Sequence, residues 1–491
     1  MTQNLASASV ATLAFVVVLS LAAIATRAGV VPGDAMRLWA GAILAGGGGV
    51  PIGRIVAAYP TLPFFATTVL SLMLPDGAPA SAILAAMLVG FIAGLWFISF
   101  RRAGMAARAA LVAALLLALH PAILRAALDG PADMLLVLFL FVLAFALYQL
   151  RARAATPDVM AAGFALLGLA FSHPLGAAVA FTATPFLVFA VRPALIANSA
   201  INVVLALVFP TAFAIGAFAY VSWIFPGAGW TFFAAPAESL AIWSVGFAHF
   251  FGDGVAGVAS LDAGLAILLV LALGAPLAAF GLFAMRHRRP LVVPALVFVA
   301  TIIAAASMTV ATGLLGDPTA LVAAAPVLAA IVLSRAPRLA KRRGFVLALA
   351  ALGWLGGAAG LVAIDSATAT QLRIALSGGD RERNETLAAG AATSERNGVL
   401  VDTENAPAIV IGRAYGRGLL DPSREEFTLA LLFQHLAAPF VAVPDPLSEI
   451  GAADRLNRAF PDLFRLGAPG YRLIYHNSTW KVFENSGENT S

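Results

Sequence analysis

The residues of this sequence that could do chemistry are carboxylates and arginines set between long apolar stretches. Asp34 follows the first such stretch and precedes Arg37 and Arg54. A carboxylate there can take a proton from an acceptor hydroxyl, which is general-base chemistry. Its structural reading is an N-cap for a helix beginning near Ala35, since Asp caps well. A cap can also be catalytic, so position leaves both readings open. Asp129 and Asp133 flank Gly130-Pro131-Ala132, close to His120-Pro121 and Arg125. On one helical turn i and i+4 share a face, whereas Pro131 as the first helical residue would leave Asp129 at or near the cap. The two acids are then either capping groups that favour the helix dipole or a polar wall that positions a metal or a hydroxyl-rich ligand. Arg37, Arg54 and Arg125 suit a lipid phosphate or pyrophosphate, because guanidinium matches phosphate bidentately. Ordinary lipid head groups meet the same description. His173 falls in the Ser172-His173-Pro174-Leu175-Gly176 turn and reads as a hydrogen-bonded structural residue rather than a base.

The elements that must hold these groups are membrane helices. Of the 491 residues, 61% are hydrophobic and 11% charged, beyond what one soluble core explains. Apolar runs recur at 9–26, 78–98, 106–124, 132–149, 157–172, 175–191, 197–222, 262–285, 291–312, 319–334 and 344–364. In lipid such runs must be helical, because the backbone has to satisfy its own hydrogen bonds. Eleven spans with the N-terminus inside put fourteen basic residues, among them Arg101, Arg102, Arg286 and Lys341, on the cytoplasmic side. In the external segments between spans only Arg27, Arg37, Arg54 and Arg125 occur, a strong positive-inside bias. The first stretch lacks a positive n-region and is followed by many others, so it reads as a retained helix rather than a signal peptide. Thr61 to Leu74 is apolar but short and is bounded by prolines, which predicts an interfacial or re-entrant helix. The stretch Ala35 to Leu44, and the aromatic segment from Trp223 to about Leu261, read as interfacial elements lying on the bilayer. The basicity belongs to this membrane pattern, not to a nucleic-acid face.

Residues 1–364 hold nine carboxylates and residues 365–491 hold sixteen, which separates a membrane domain from a soluble one. An odd number of spans exports the tail. Its polar opening, containing Arg373, Asp380 and Arg381 to Glu385, precedes strand-like runs at Gly398 to Asp402, Ala408 to Ile411 and Phe440 to Val443. A helix is expected over Arg424 to Leu436, and a β-hairpin over Tyr471 to Glu484. These elements make a small α/β domain. With no cysteine it has neither disulfides nor a thiolate metal site.

The order Val31-Pro32-Gly33-Asp34, Tyr59-Pro60-Thr61-Leu62-Pro63, then His120-Pro121 leading to Asp129-Gly130-Pro131-Ala132-Asp133-Met134 resembles the GT-C membrane glycosyltransferases. The likeness is to the bacterial branch similar to protein mannosyltransferases and lipid A aminoarabinose transferases. It extends over the architecture of nearly the whole chain, through short and degenerate motifs. The resemblance implies a polyprenyl-phosphate-linked sugar as donor, transfer with inversion to a lipid, glycan or protein acceptor, and a site on the periplasmic face of the bacterial inner membrane. It implies that Asp34 is the loop-one acid acting as general base or acceptor positioner, and that Asp129 and Asp133 stand at the second acidic position. Arg37, Arg54, Arg125 and Tyr59 would form the neighbourhood of the donor phosphate. A divalent metal, Mg or Mn, would be held among Asp34, Asp129 and Asp133. Many members carry a second acid directly after the first, whereas Ala35 follows Asp34 here. That departure argues against a metal in loop one, and it keeps a noncatalytic scaffold in envelope polysaccharide assembly as the alternative. A lipid or polysaccharide transporter is the third reading, but transporters gather polar residues near the membrane midplane.

Overall fold

The structure is a computed structural model that describes residues 2–28, 30–47, 50, 52–56, 58–153, 155–224, 259–287, 289–312, 318–364, 374 and 379–486. The aromatic segment at 225–258, and residues 365–373 of the tail's opening, lie outside the described residues. Helix α1 (Thr2–Arg27) is followed by α2 (Gly33–Gly46), α3 (Ile52–Val56) and α4 (Thr61–Met73). Then come α5 (Ala80–Arg102), α6 (Ala107–Ala118), α7 (Pro121–Asp129), α8 (Pro131–Ala152), α9 (Thr156–Ser172), α10 (Pro174–Ala190) and α11 (Pro193–Ile224). After these follow α12 (Ala259–Gly274), α13 (Pro276–Ala284), α14 (Arg289–Thr312), a 3-10 turn at Pro318–Ala323, α15 (Ala324–Arg335), α16 (Pro337–Ala340) and α17 (Arg343–Ile364).

Among the described residues seven helices are long and apolar enough to cross a membrane, or nine if each bent pair is one span. The bends are 52° between α6 and α7 and 85° between α12 and α13, where His120-Pro121 and Ala275-Pro276 interrupt the apolar run. The 32 uncharged residues around His173 divide into α9 and α10, of 17 residues each, as the turn sequence predicts. Helix α4 has 13 residues, about 20 Å at 1.5 Å per residue, which is too short for a bilayer core of about 30 Å.

The chain forms two compact units. The first comprises Met1–Ala22, Tyr59–Pro63 and Ala85–Gln371. At its centre α15 is buried on all sides from Ala324 to Leu333, as a helix apolar all round should be. Its neighbours α6, α8 and α13 contribute many alanines to the core, which lets helix backbones approach closely. Outward positions such as Phe164, Phe181, Phe189, Phe209 and Phe213 are exposed, as lipid-facing residues are. This is a multi-spanning membrane domain.

The second unit joins Ala23–Ala58 and Phe64–Leu84 to Leu372–Ser491. Its C-terminal part contains α18 (Arg381–Ala392), β1 (Val399–Leu400), α19 (Pro407–Arg413), β2 (Leu419–Leu420), α20 (Glu425–Phe433) and β3 (Phe440–Pro444). Helices α21 (Glu449–Ala453), α22 (Arg455–Ala459) and α23 (Leu463–Leu466) lead to β4 (Tyr471–His476) and β5 (Trp480–Asn485). The sheet order is β2-β1-β3-β5-β4, with β1 parallel to both β2 and β3 and with β5 antiparallel to β3 and β4. Side chains alternate across it. Val399, Val401, Ala442, Trp480 and Val482 enter one core, whereas Leu400, Val441, Val443 and Phe483 enter the other.

Two expectations change here. Ala408 to Ile411 is not a strand but part of α19, which Pro407 starts at its first position. A run of four apolar residues fits a buried helix as well as a strand, and Ile409 and Val410 are buried from the helix. The apolar face of α2 is also not free to lie on a bilayer. Ala40, with Ile43 and Leu44 beside it, packs into the core formed by Ala389, Ile409 and Trp480.

Candidate functional site

Helix α2 begins at Gly33 with Pro32 as its cap residue, and Asp34 falls in its first turn rather than at the cap. The Asp34 carboxylate faces the Arg37 guanidinium at 3.6 Å, with the two side chains 76% and 59% exposed. An ion pair this open adds little stability, about 0–1 kcal/mol. The helix N-terminus favours the negative charge. What fixes Asp34 is the far end of its helix, where Ala40, Ile43 and Leu44 are gripped by the core of the second unit. Gly416 makes that grip possible, because a Cβ there would lie 2.7 Å from Leu44 Cα. Arg54 lies on α3, and its side chain is outside the described residues.

The first unit holds the other acids. Gly130, at φ 123°, occupies a conformation that other residues avoid, and it ends α7 just as Pro131 opens α8. Asp129 is thus the last residue of α7 and Asp133 lies in the first turn of α8. Arg125 Nε approaches Asp129 Oδ2 at 3.4 Å, one turn apart on α7. Asp133 Oδ1 lies 2.8 Å from His173 Nε2, with 10% and 15% of the two side chains exposed. The Arg125 guanidinium acts electrostatically on the Asp133 carboxylate, and Asp129 shares a hydrogen bond with it.

The histidine chemistry follows from its backbone contacts. His173 caps α10, and its Nδ1 accepts from the Leu175 amide at 3.0 Å. An accepting Nδ1 carries no proton, so the ring proton sits on Nε2 and is donated to Asp133. His120 repeats the device: Nδ1 accepts from the Ala122 amide at 3.2 Å, and Nε2 reaches the Gly353 carbonyl at 3.1 Å. In each case proline follows the histidine at the first helical position, where no amide hydrogen is needed, and the ring serves the next amide. Neither imidazole has a free nitrogen to act as a base. The two His-Pro pairs are the sequence signal for these caps.

Tyr59 belongs to the first unit, and its hydroxyl donates to the Ala170 carbonyl at 3.0 Å, one turn before His173. Its ring meets Phe218 at 6.0 Å, and burial pushes its pKa above the usual phenol value. The structure therefore brings Arg125, Asp129, Asp133 and His173 together. Asp34 and Arg37 form a separate pair in the second unit. Among the described residues no three His, Asp or Glu gather as a metal-holding group.

Sequence reasoning missed the polar cleft beside α2. It has a volume of about 360 Å³, and its walls include Arg37, Arg383, Glu382, Glu404 and Glu449. Its signal lay in the acids at the starts of tail helices, which composition alone does not join. The chain matches no protein-family model, and none of the curated proteins matches it.

Proposed function

We propose that the chain is an inverting glycosyltransferase that moves a sugar from a polyprenyl-phosphate donor to a lipid, glycan or protein acceptor at the periplasmic face of the bacterial inner membrane. The observation that carries this reading is Asp34, an exposed carboxylate beside a guanidinium, on a helix whose other end is anchored in a folded core. The reading takes α9 and α10 as crossings beside the nine counted above, because 17 residues lie at the short end of the range for a span.

In the proposed reaction the acceptor hydroxyl gives its proton to Asp34 while its oxygen bonds to the anomeric carbon. The bond from that carbon to the phosphate oxygen breaks on the opposite side, and the leaving polyprenyl phosphate keeps the electron pair. Arg37 supplies positive charge to that phosphate, and electrostatic stabilisation of this kind is usually the largest catalytic term. Asp133 and His173 hold the span ends in place.

Asp34→Asn tests the assignment, since it keeps the size and hydrogen-bonding capacity of the side chain but removes its basicity. Turnover with polyprenyl-phosphate sugars is expected to fall by about 100-fold or more, the usual worth of general-base catalysis, with protein level unchanged. Near-normal turnover would refute the role. The second reading, a noncatalytic scaffold, is favoured by the His173–Asp133 pair, whose ring nitrogens are both occupied by structure. An unmodified chain that folds and transfers none of a broad set of such sugars would establish it.

A further inference from the structure

We propose that the cleft between the first turn of α2 and the C-terminal sheet is a binding site for a hydroxyl-rich carbohydrate. Its location follows from sheet topology. Strands β2-β1-β3 run parallel with β1 in the centre, so the connections leaving β1 and β3 diverge. Such α/β sheets bind ligands in the crevice beyond the carboxyl ends of the strands at this switch point. The cleft is lined there by Glu404 and Asn405 after β1 and by Glu449 and Ile450 after β3, with Gly33, Met36 and Arg37 closing it from α2. At about 360 Å³ it falls within the range of small-molecule sites.

The lining selects the ligand. Four carboxylates, on Asp380, Glu382, Glu404 and Glu449, face two guanidiniums, on Arg37 and Arg383. A sugar hydroxyl can donate to a carboxylate and accept from an arginine at once. The walls are held before any ligand arrives. Glu382 Oε1 accepts from the Ile450 amide at 3.0 Å, Asp380 Oδ1 from the Arg383 amide at 3.1 Å, and Glu404 pairs with Arg455. Arg383 itself is 94% buried, because only 6% of it is exposed. Preorganised polar groups of this kind lower the cost of ordering a ligand. The role of the cleft as acceptor subsite rests on the transferase reading; the binding itself does not.

The test is saturation-transfer NMR on the full chain in nanodiscs free of glycoside detergent, with the methyl glycosides of glucose, galactose, mannose and arabinose as probes. Transfer is expected to at least one glycoside. Glu449→Ala removes one charged acceptor and is expected to weaken that binding about tenfold, the worth of one such hydrogen bond. Met36→Trp fills the cleft and is expected to abolish it, with helix content by circular dichroism confirming that both variants fold. No transfer to any of the four glycosides, or binding unchanged in both variants, would overturn the proposal. Glycoside binding without sugar transfer would leave the cleft standing and refute the transferase. Sugar transfer without glycoside binding would do the reverse.

Discussion

Asp454 shows how one side chain can set a pH dependence that its neighbours do not share. It is fully buried, its Oδ1 accepts from the Asn457 amide at 2.8 Å as the cap of α22, and its Oδ2 is buried with no hydrogen-bond partner among the described residues. Burial, reinforced by the nearby Asp402 carboxylate, pushes its pKa up to about 7. An unfolded aspartate titrates near 3.9, so between about pH 4 and pH 7 the native state binds the extra proton. The stability that the protonated form contributes is complete below pH 4 and is lost as pH rises through 7, a change on the order of 4 kcal/mol. Asparagine caps helices as well as aspartate does. Asp454→Asn is therefore expected to flatten the fall in thermal midpoint between pH 5 and pH 8 and to raise the midpoint at pH 8. An unaltered pH profile in this variant would refute the assignment. Glu385 behaves oppositely: hydrogen bonds from Ser478 and Thr479, with Arg381 alongside, hold it down at about 2. Its contribution persists across that window and is lost only as pH falls from about 4 towards 2.

Among the elements, the junction of α2 with the C-terminal sheet decides where Asp34 stands. Gly416 approaches the helix so closely that a Cβ would lie 2.7 Å from Leu44 Cα and 2.9 Å from the Ile43 carbonyl oxygen, both backbone atoms that cannot rotate away. Gly416→Leu is expected to cost about 1–3 kcal/mol by overpacking. Amide exchange should quicken across Gly33–Gly46 while the β4–β5 hairpin keeps its protection, since regions open independently. Equal protection of α2 in both proteins would show that the contact does not hold the helix. The amphipathic pattern of Ala35 to Leu44 revealed the helix, but not its partner. An apolar face reads the same whether it meets lipid or protein. The hairpin was legible because Tyr471 to Tyr475 and Thr479 to Glu484 are aromatic-bearing runs on either side of His476-Asn477. Strand β2 was not, because Leu419 and Leu420 are too few to carry a period. At the acids, Gly130-Pro131 announced the break between Asp129 and Asp133, whereas the reach of His173 to Asp133 joins residues 40 positions apart and leaves no local trace.

At the scale of the whole molecule, charge asymmetry in the sequence separates a membrane part from a polar tail, and the structure contains both a multi-spanning helical domain and a small sheet-containing one. The grouping of Ala23–Ala58 with the tail rests on packing between distant segments, which no run of residues announces. The proposed topology rests on arginine placement, because cytoplasmic loops hold the basic residues, and the clusters Arg101-Arg102, Arg286 and Arg335 to Arg343 fix the inner side. Helix α4, at 13 residues, then stays on the outer side, and the tail follows the last span outward. The chain has no cysteine, so a single introduced thiol reports alone. Thr61→Cys, at the start of α4, and Asp76→Cys, three residues past its end, are both expected to react with a membrane-impermeant maleimide in intact cells. So is Leu447→Cys, a position 95% exposed in the C-terminal domain. Arg342→Cys is expected to react only after the cells are permeabilised. Labelling of Thr61→Cys without Asp76→Cys would make α4 a crossing and reverse the side of every later loop. Protection of Leu447→Cys until permeabilisation would place the tail in the cytoplasm and remove the proposed acceptor cleft from the side on which the polyprenyl-linked sugar is used.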